Sequence, residues 1–254
     1  MTKMQREQRW GTTRHNMRSL DLPPPFRLLV LREAGDAFAH ACAHAPRLGA
    51  GMLVFVGRFD VAEFAVVLEP EEELGGARRS FYAGMSAIAD ALSALAPPET
   101  PIAIEWPDRL EVGRGLVGGG CLGWPELADE DARPDWLVFG AVIRLVSMRS
   151  GNAELHPLRS SLADEGFGEV GAEHLVESFA RHLMVAMDCW QEGDFDAIAQ
   201  GYLSRLRPER GARRTIDASG NLRIEGRGRP AKSLELRAAL AMPSSLERFY
   251  GRGP

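Results

Sequence analysis

Lysine is almost missing from this 254-residue chain, occurring only at Lys3 and Lys232. Cysteine is nearly as sparse. Cys42, Cys121 and Cys189 are odd in number and widely spaced, with no CxxC pair and no Cys/His ligand pattern. That spacing gives no support to a disulfide scaffold or a structural zinc site, and it makes a reducing cytoplasm the default compartment. There is no excess of positive charge either. The formal net charge is −5 and the pI is near 5.8, with no Lys/Arg patch interleaved with aromatics, so no nucleic-acid partner is expected. No apolar run is long enough to span a bilayer, and no apolar segment follows the basic N-terminal stretch. No membrane role is expected, and residues 1–21 are read as a leader outside the fold.

What the chain does contain is an alternation of apolar patterns ample for one main core. Pro23-Pro24-Pro25 ends the leader, and FRLLVLRE reads as a first strand. Asp36 is placed as the N-cap of a short helix running through Ala45 and closed by Pro46. Met52–Val56 and Ala62–Leu68 read as a strand pair. Phe81, Met85, Ile88, Leu92 and Leu95 follow at alternating steps of four and three, which makes one buried helical stripe between Ala77 and Ala96. IAIEW and the long run from Trp136 return to extended structure. Leu175, Phe179, Leu183 and Met187 then restore helical spacing, and Gly193 divides the segment Ala172–Leu206 into two helices. Beyond Arg207 large apolar residues thin out, and a turn at Ala218-Ser219-Gly220-Asn221 implies a hairpin. The expected class is α+β: a mixed sheet faced by helices over residues 22–207, and a small β-containing C-terminal module over 208–254.

Glycines 113, 115, 118, 119 and 120 crowd one stretch and contain the pattern G-x-G-x-x-G at Gly113, Gly115 and Gly118. A dinucleotide site needs a strand leading into that pattern and a helix opening from it. Here the leading strand is short, and Gly-Gly-Gly-Cys-Leu-Gly-Trp-Pro is a poor helix start. The stretch reads better as two strands joined by a turn at Gly113-Arg114, the second being Leu116–Leu122. Glycines inside a strand mark either tight packing or the close approach of a ligand, and the residues alone leave both open.

The segment IEWPDRLEVGRGLVGGG resembles the central strand pair of the biotin protein ligase and lipoate ligase superfamily, whose signature is Lys-Trp-Pro-Asn-Asp, a turn, and Lys-Leu-Ala-Gly-Ile-Leu. WLVFGAVIRL, with Gly140, resembles the following ligase strand, and SSLADEG the turn before the next helix. WQEGDFDAIAQGYLSRL resembles the end of the ligase helix pair, and RTIDASGNLRI the hairpin of the appended module. The resemblance implies a biotin/lipoate ligase catalytic-domain fold. It also implies a small carboxylate ligand such as biotin, lipoate or a fatty acid, ATP if the chain is active, and an acceptor carrier protein as a possible partner. The ligand-binding positions it implies are Trp106, Asp108, Gly115, Gly118, Gly119, Gly140 and Asp36, with no metal.

The chain departs from the ligase pattern where the chemistry resides. Gly115 stands at the position of the lysine that offsets the charge of the adenylation transition state. No lysine between Lys3 and Lys232 can replace it. Arg114 and Arg58 are the candidate catalytic cations, with Arg109 a further one, though a guanidinium fork does not reproduce a compact ammonium. Arg58 belongs to Gly57-Arg58-Phe59-Asp60, which replaces a long arginine-rich loop and reads equally as an anion contact or a plain hairpin turn. Ala34-Gly35-Asp36 replaces the Ser-Thr-Asn segment that lines the ligand pocket, and Arg144 stands where the ligase strand ends in Asn. Cys121 reads as a small buried side chain rather than an acyltransferase nucleophile, and His40/His44 as a surface pair rather than metal ligands. Two functions follow from these departures: a divergent protein with reduced or no ligase activity that binds a small carboxylate, or a partner protein, through the same sheet, which the losses favour; or a ligase or acyltransferase that uses arginine.

Overall fold

The computed structural model describes residues 20–113, 115–147, 160–193, 195–226, 228 and 230–241. Seven strands form one sheet: β1 (Arg27–Leu31), β2 (Met52–Val56), β3 (Val61–Leu68), β4 (Ile102–Glu105), β5 (Arg109–Val112), β6 (Gly115–Gly123) and β7 (Leu137–Arg144). Their spatial order is β1-β2-β3-β7-β6-β5-β4. β1 runs parallel to β2, and every other pairing is antiparallel. β3 and β7 are the middle pair and are buried along almost their whole length, which is why both read as unbroken apolar runs rather than as alternation.

The two faces of the sheet are covered differently. On one face Phe64, Val66, Leu122, Phe139 and Ile143 meet helix α3 (Ser80–Leu95) and helix α4 (Ala172–Gln191) in the main core. Phe139 lies so close to α3 that a Cβ on Gly84 would come within 2.5 Å of its ring. Helix α1 (Ala37–Leu48) covers the other face, placing Ala37, Ala41 and Ala45 against Val54, Val56, Ala65 and Val138. A spacing of four puts these small side chains on one side of the helix, so α1 can lie close to the strands. The expected stop at Pro46 is not observed. The helix continues to Leu48, because a proline near its end removes only its own donor, and Gly49 (φ +72°) supplies the closing N–H to the Ala45 carbonyl.

The short helix α2 (Leu74–Ala77) precedes α3, and α5 (Phe195–Arg205) follows α4. Beyond α5, β8 (Ala212–Ile216), β9 (Leu222–Gly226) and β10 (Lys232–Leu234) make a separate three-stranded sheet, closed by helix α6 (Leu236–Leu240). The hairpin is where the Ala218–Asn221 turn implied it, while β10 and α6 were not foreseen. At the other end, Leu20 and Leu22 pack against the core and the Asp21 N–H donates to Glu177 Oε1 at 2.8 Å.

The small sheet is fastened to the main core by one buried chain of polar contacts. Tyr82 of α3 donates its hydroxyl proton to the Gly220 carbonyl at 2.6 Å and accepts from Trp106 Nε1 at 3.3 Å. Burial pushes the Tyr82 phenol up, so it remains a donor. Leu222 and Leu236 are buried beside it. Tyr82→Phe leaves the Gly220 carbonyl and the Trp106 N–H without a protein partner, at a cost of about 1–3 kcal/mol. The urea midpoint is therefore expected to fall; an unchanged midpoint would show that the link contributes nothing.

Candidate functional site

β6 carries the glycine stretch between β5 and β7, and protein atoms occupy the space beside each glycine that was expected to meet a ligand. A Cβ on Gly118 would collide with the Val142 carbonyl of β7, and one on Gly119 with the Asp108 carbonyl. A Cβ on Gly120 would lie 2.7 Å from Met85 Sδ. Gly140 is bare because Phe38 of α1 rests on it, 2.6 Å from where a Cβ would be. Close backbone packing, helped by a register shift where Leu110 and Glu111 face Gly118 and Leu116, accounts for the glycines. Gly115, Gly118, Gly119 and Gly140 were expected to be bare for a ligand; each has protein atoms where a Cβ would stand.

Gly115 is enclosed by the segment that starts at Ser160. Ser160 Oγ donates to Glu165 Oε1 at 2.7 Å, and a Cβ on Gly115 would run into Ser160 and stand 2.5 Å from that same carboxylate oxygen. Gly113, at φ +60°, faces Glu165 too. The segment is pinned to the sheet: Ser160 N donates to the Leu116 carbonyl at 3.1 Å, Leu162 N to Arg144 and Ala163 N to Leu145, both at 2.9 Å. A carboxylate therefore stands directly beside Gly115, the position that the ligase resemblance gives to a lysine.

The remaining predicted positions are engaged in structural contacts. Trp106 donates to Tyr82, Pro107 follows through a cis peptide bond, and the Pro107 carbonyl accepts from Tyr202 at 2.7 Å. The Asp108 carbonyl accepts from Gly120 N at 3.1 Å. Arg58 clamps Asp60 through two hydrogen bonds of 3.1 and 3.0 Å, making Gly57–Asp60 a braced hairpin turn. Arg109 reaches Glu105 at 3.3 Å. Arg114 lies outside the described residues. Asp36 is the N-cap of α1, its Oδ1 accepting from Ala39 N at 2.8 Å, as the sequence implied.

Asp36 also lines an open cavity. This cavity, about 680 Å³, lies on the α1 side of the sheet. Phe38 and Cys42 of α1, Glu63 of β3, Cys121 of β6, Trp124, Glu126 and Trp136 of the β6–β7 connection, and Leu240 and Ala241 at the end of α6 contribute to its wall. Glu63 is buried, and its Oε1 accepts from Ala37 N at 2.8 Å, so two carboxylates already meet the amides that open α1. Burial holds the Cys42 thiol up at about 12 and pushes Cys121 well above the ordinary thiol range, which removes both as nucleophiles near neutral pH. Among the described residues no cluster of His, Cys, Asp and Glu could hold a metal, and no helix is long and apolar enough to cross a membrane. Sequence reasoning missed Glu63 and the two tryptophans. The signal for Glu63 was a lone acid within the apolar strand VAEFAVVL.

The model of the biotin/lipoate A/B protein ligase family matches residues 22–204. The chain belongs to that family. Among solved structures it resembles a biotin protein ligase-like protein of unknown function from Silicibacter sp. TM1040, at 26% identity and a TM-score of 0.78, over 88% of this chain and 100% of the other. Biotin protein ligase from Aquifex aeolicus shares the fold at 15% identity and a TM-score of 0.64, over 82% and 95% of the two chains. The same ligase in complex with biotin and ATP gives a TM-score of 0.60 at the same identity and coverage. No curated protein matches the sequence.

Two outcomes follow from the packing. Gly118→Val forces a side chain into the β7 backbone and is expected to destabilise by about 1–3 kcal/mol; a glycine kept bare for a ligand would instead accept valine in the free protein with its thermal midpoint unchanged. The second concerns Asp164, whose carboxylate is held below the usual range by hydrogen bonds from Ser147 and then Ser161. A depressed folded pKa gives stability that is complete above the ordinary aspartate value of 3.8 and is lost as pH falls through the folded one. Ser161→Ala should therefore lower the denaturation midpoint at pH 7 and matter progressively less under acid, as a series of urea titrations would show.

Proposed function

We propose that this member of the biotin/lipoate ligase family is a binding protein and not an adenylating enzyme. The observation that carries this reading is the Ser160–Glu165 pair against Gly113 and Gly115. An adenylation site must gather positive charge around a triphosphate and a carboxylate. Here the residue that ligases supply as lysine is glycine, and the adjoining space holds a carboxylate on a segment hydrogen-bonded to β6 and β7. Of the candidate arginines among the described residues, Arg58 pairs with Asp60 and Arg109 with Glu105.

The place for a ligand is the cavity on the α1 side, which has room for a small molecule and an aromatic wall. The carboxylate ligand implied by family resemblance is the weaker part of that reading, because Asp36, Glu63 and Glu126 all line the cavity. An acceptor carrier protein belongs to the ligase reading and falls with it. Cytoplasmic residence suits the three free thiols, Cys42, Cys121 and Cys189.

Incubation with ATP and labelled biotin, lipoate or octanoate is expected to release no pyrophosphate. Gly115→Lys should not restore release, since the new side chain collides with Ser160 and its charge would pair with Glu165. Pyrophosphate from the unmodified protein would instead establish a ligase or acyltransferase driven by arginine, and its loss in Arg114→Ala would name the residue.

A further inference from the structure

We propose that the α1-side cavity binds an uncharged aromatic molecule that carries a hydroxyl or amide group. The inference rests on the binding reading above and specifies the ligand class of that same cavity. Among the described lining residues only Asp36, Glu63 and Glu126 are charged, and the others are aromatic, aliphatic or small. The charge of the guest therefore turns on whether those carboxylates are compensated. Asp36 and Glu63 are engaged within the protein: each accepts an amide N–H from the first turn of α1 at 2.8 Å, and each has further interactions besides. Glu63 pairs across the sheet with Val142, and Val61 with Arg144, so the buried Arg144 stands on the same sheet face as Glu63. Its guanidinium and the roughly half charge of the helix end oppose the two carboxylates. Glu126 is exposed, and water screens it. The wall thus calls for no counter-ion of either sign, and a charged guest would give up hydration there without gaining a partner.

What the wall does offer is fixed aromatic surface. Phe38 lies over the bare strand positions Gly123 and Gly140, 3.0 and 2.6 Å from where their Cβ atoms would stand. No side chain separates the ring from the sheet, which holds it in place. Trp124 and Trp136 add indole surface from the two ends of the β6–β7 connection. Arg78, which is not part of the lining, stacks 4.9 Å from the Trp124 ring centroid. An indole that already holds a guanidinium is a poorer partner for a second cation, while an uncharged ring can still pack against it. Cys42 and Cys121 contribute neutral, polarisable surface, because both thiols stay protonated. The cavity, about 680 Å³, has room for two fused rings with a short substituent. Glu126 supplies the acceptor for a guest hydroxyl or amide N–H.

The test keeps one skeleton and varies first its charge and then its aromaticity. The full chain is titrated calorimetrically with 2-naphthalenemethanol, 2-naphthoate, 2-naphthylmethylamine and the saturated decahydro-2-naphthalenemethanol. The aromatic alcohol is expected to bind about tenfold or more tighter than each of the other three, with an affinity that does not change as salt is raised. Ala43→Trp, at an exposed α1 position that lines the cavity, should fill the guest's place and abolish binding with the thermal midpoint unchanged. Trp136→Leu should weaken the aromatic alcohol more than the saturated one. Equal or tighter binding of the amine or the naphthoate, without pyrophosphate release in the presence of ATP, would overturn the uncharged assignment while leaving the binding reading intact. Equal binding of the saturated alcohol would overturn the aromatic assignment. Full affinity in a folded Ala43→Trp would overturn the cavity as the site, and absence of binding by all four probes up to their solubility limits would overturn the proposal as a whole. Pyrophosphate release would overturn the binding reading itself.

Discussion

The contact on which the functional reading depends is steric: β6 lies so close to β5, β7 and the Ser160–Glu165 segment that its residues can have no side chains there. The Val142 and Asp108 carbonyls stand where Cβ atoms at Gly118 and Gly119 would be. This closeness lets Ser160 and Glu165 seal the end of the strand pair. Glycine here is permissive in space more than in conformation, since apart from Gly113 the glycines of the run keep φ outside the left-handed region.

Much of the architecture was legible because apolar spacing reports burial directly. The strand pair Met52–Val56 and Val61–Leu68, the helix carrying Phe81, Met85, Ile88 and Leu92, and the break at Gly193 all stand where periodicity and turn residues put them. Pro46 misled because a proline near a helix end weakens one bond without stopping the chain. β10 and α6 were missed because three and five residues are too few to carry a period.

The site was less legible, for a different reason. A motif gives positions along a strand and not what lies across from them. Asp36 was read correctly as a helix cap, since capping is local. Nothing in the neighbourhood of Gly115 announced that Glu165, fifty residues on, would stand beside it. Likewise Glu63 lies on β3 while Trp124 and Trp136 stand at opposite ends of the β6–β7 connection, and only the folded sheet brings them to one cavity. Arg58 and Arg109 looked available as cations until their partners, two and four residues away, were seen to hold them.

The end of α6 gives the cavity a property that none of its individual side chains would. Leu240 and Ala241 form part of the wall, yet they belong to the small C-terminal sheet and helix, whose hold on the main core runs through Tyr82, Gly220, Leu222 and Leu236. A guest touching that wall binds the docked arrangement better than an undocked one, so occupancy and docking are thermodynamically linked. By reciprocity, whatever loosens the small sheet also weakens the guest, and a partner that captured the module could empty the cavity without approaching it. The C-terminal elements thus give a ligase-derived pocket a remote handle, with the Tyr82 hydroxyl as its hinge pin.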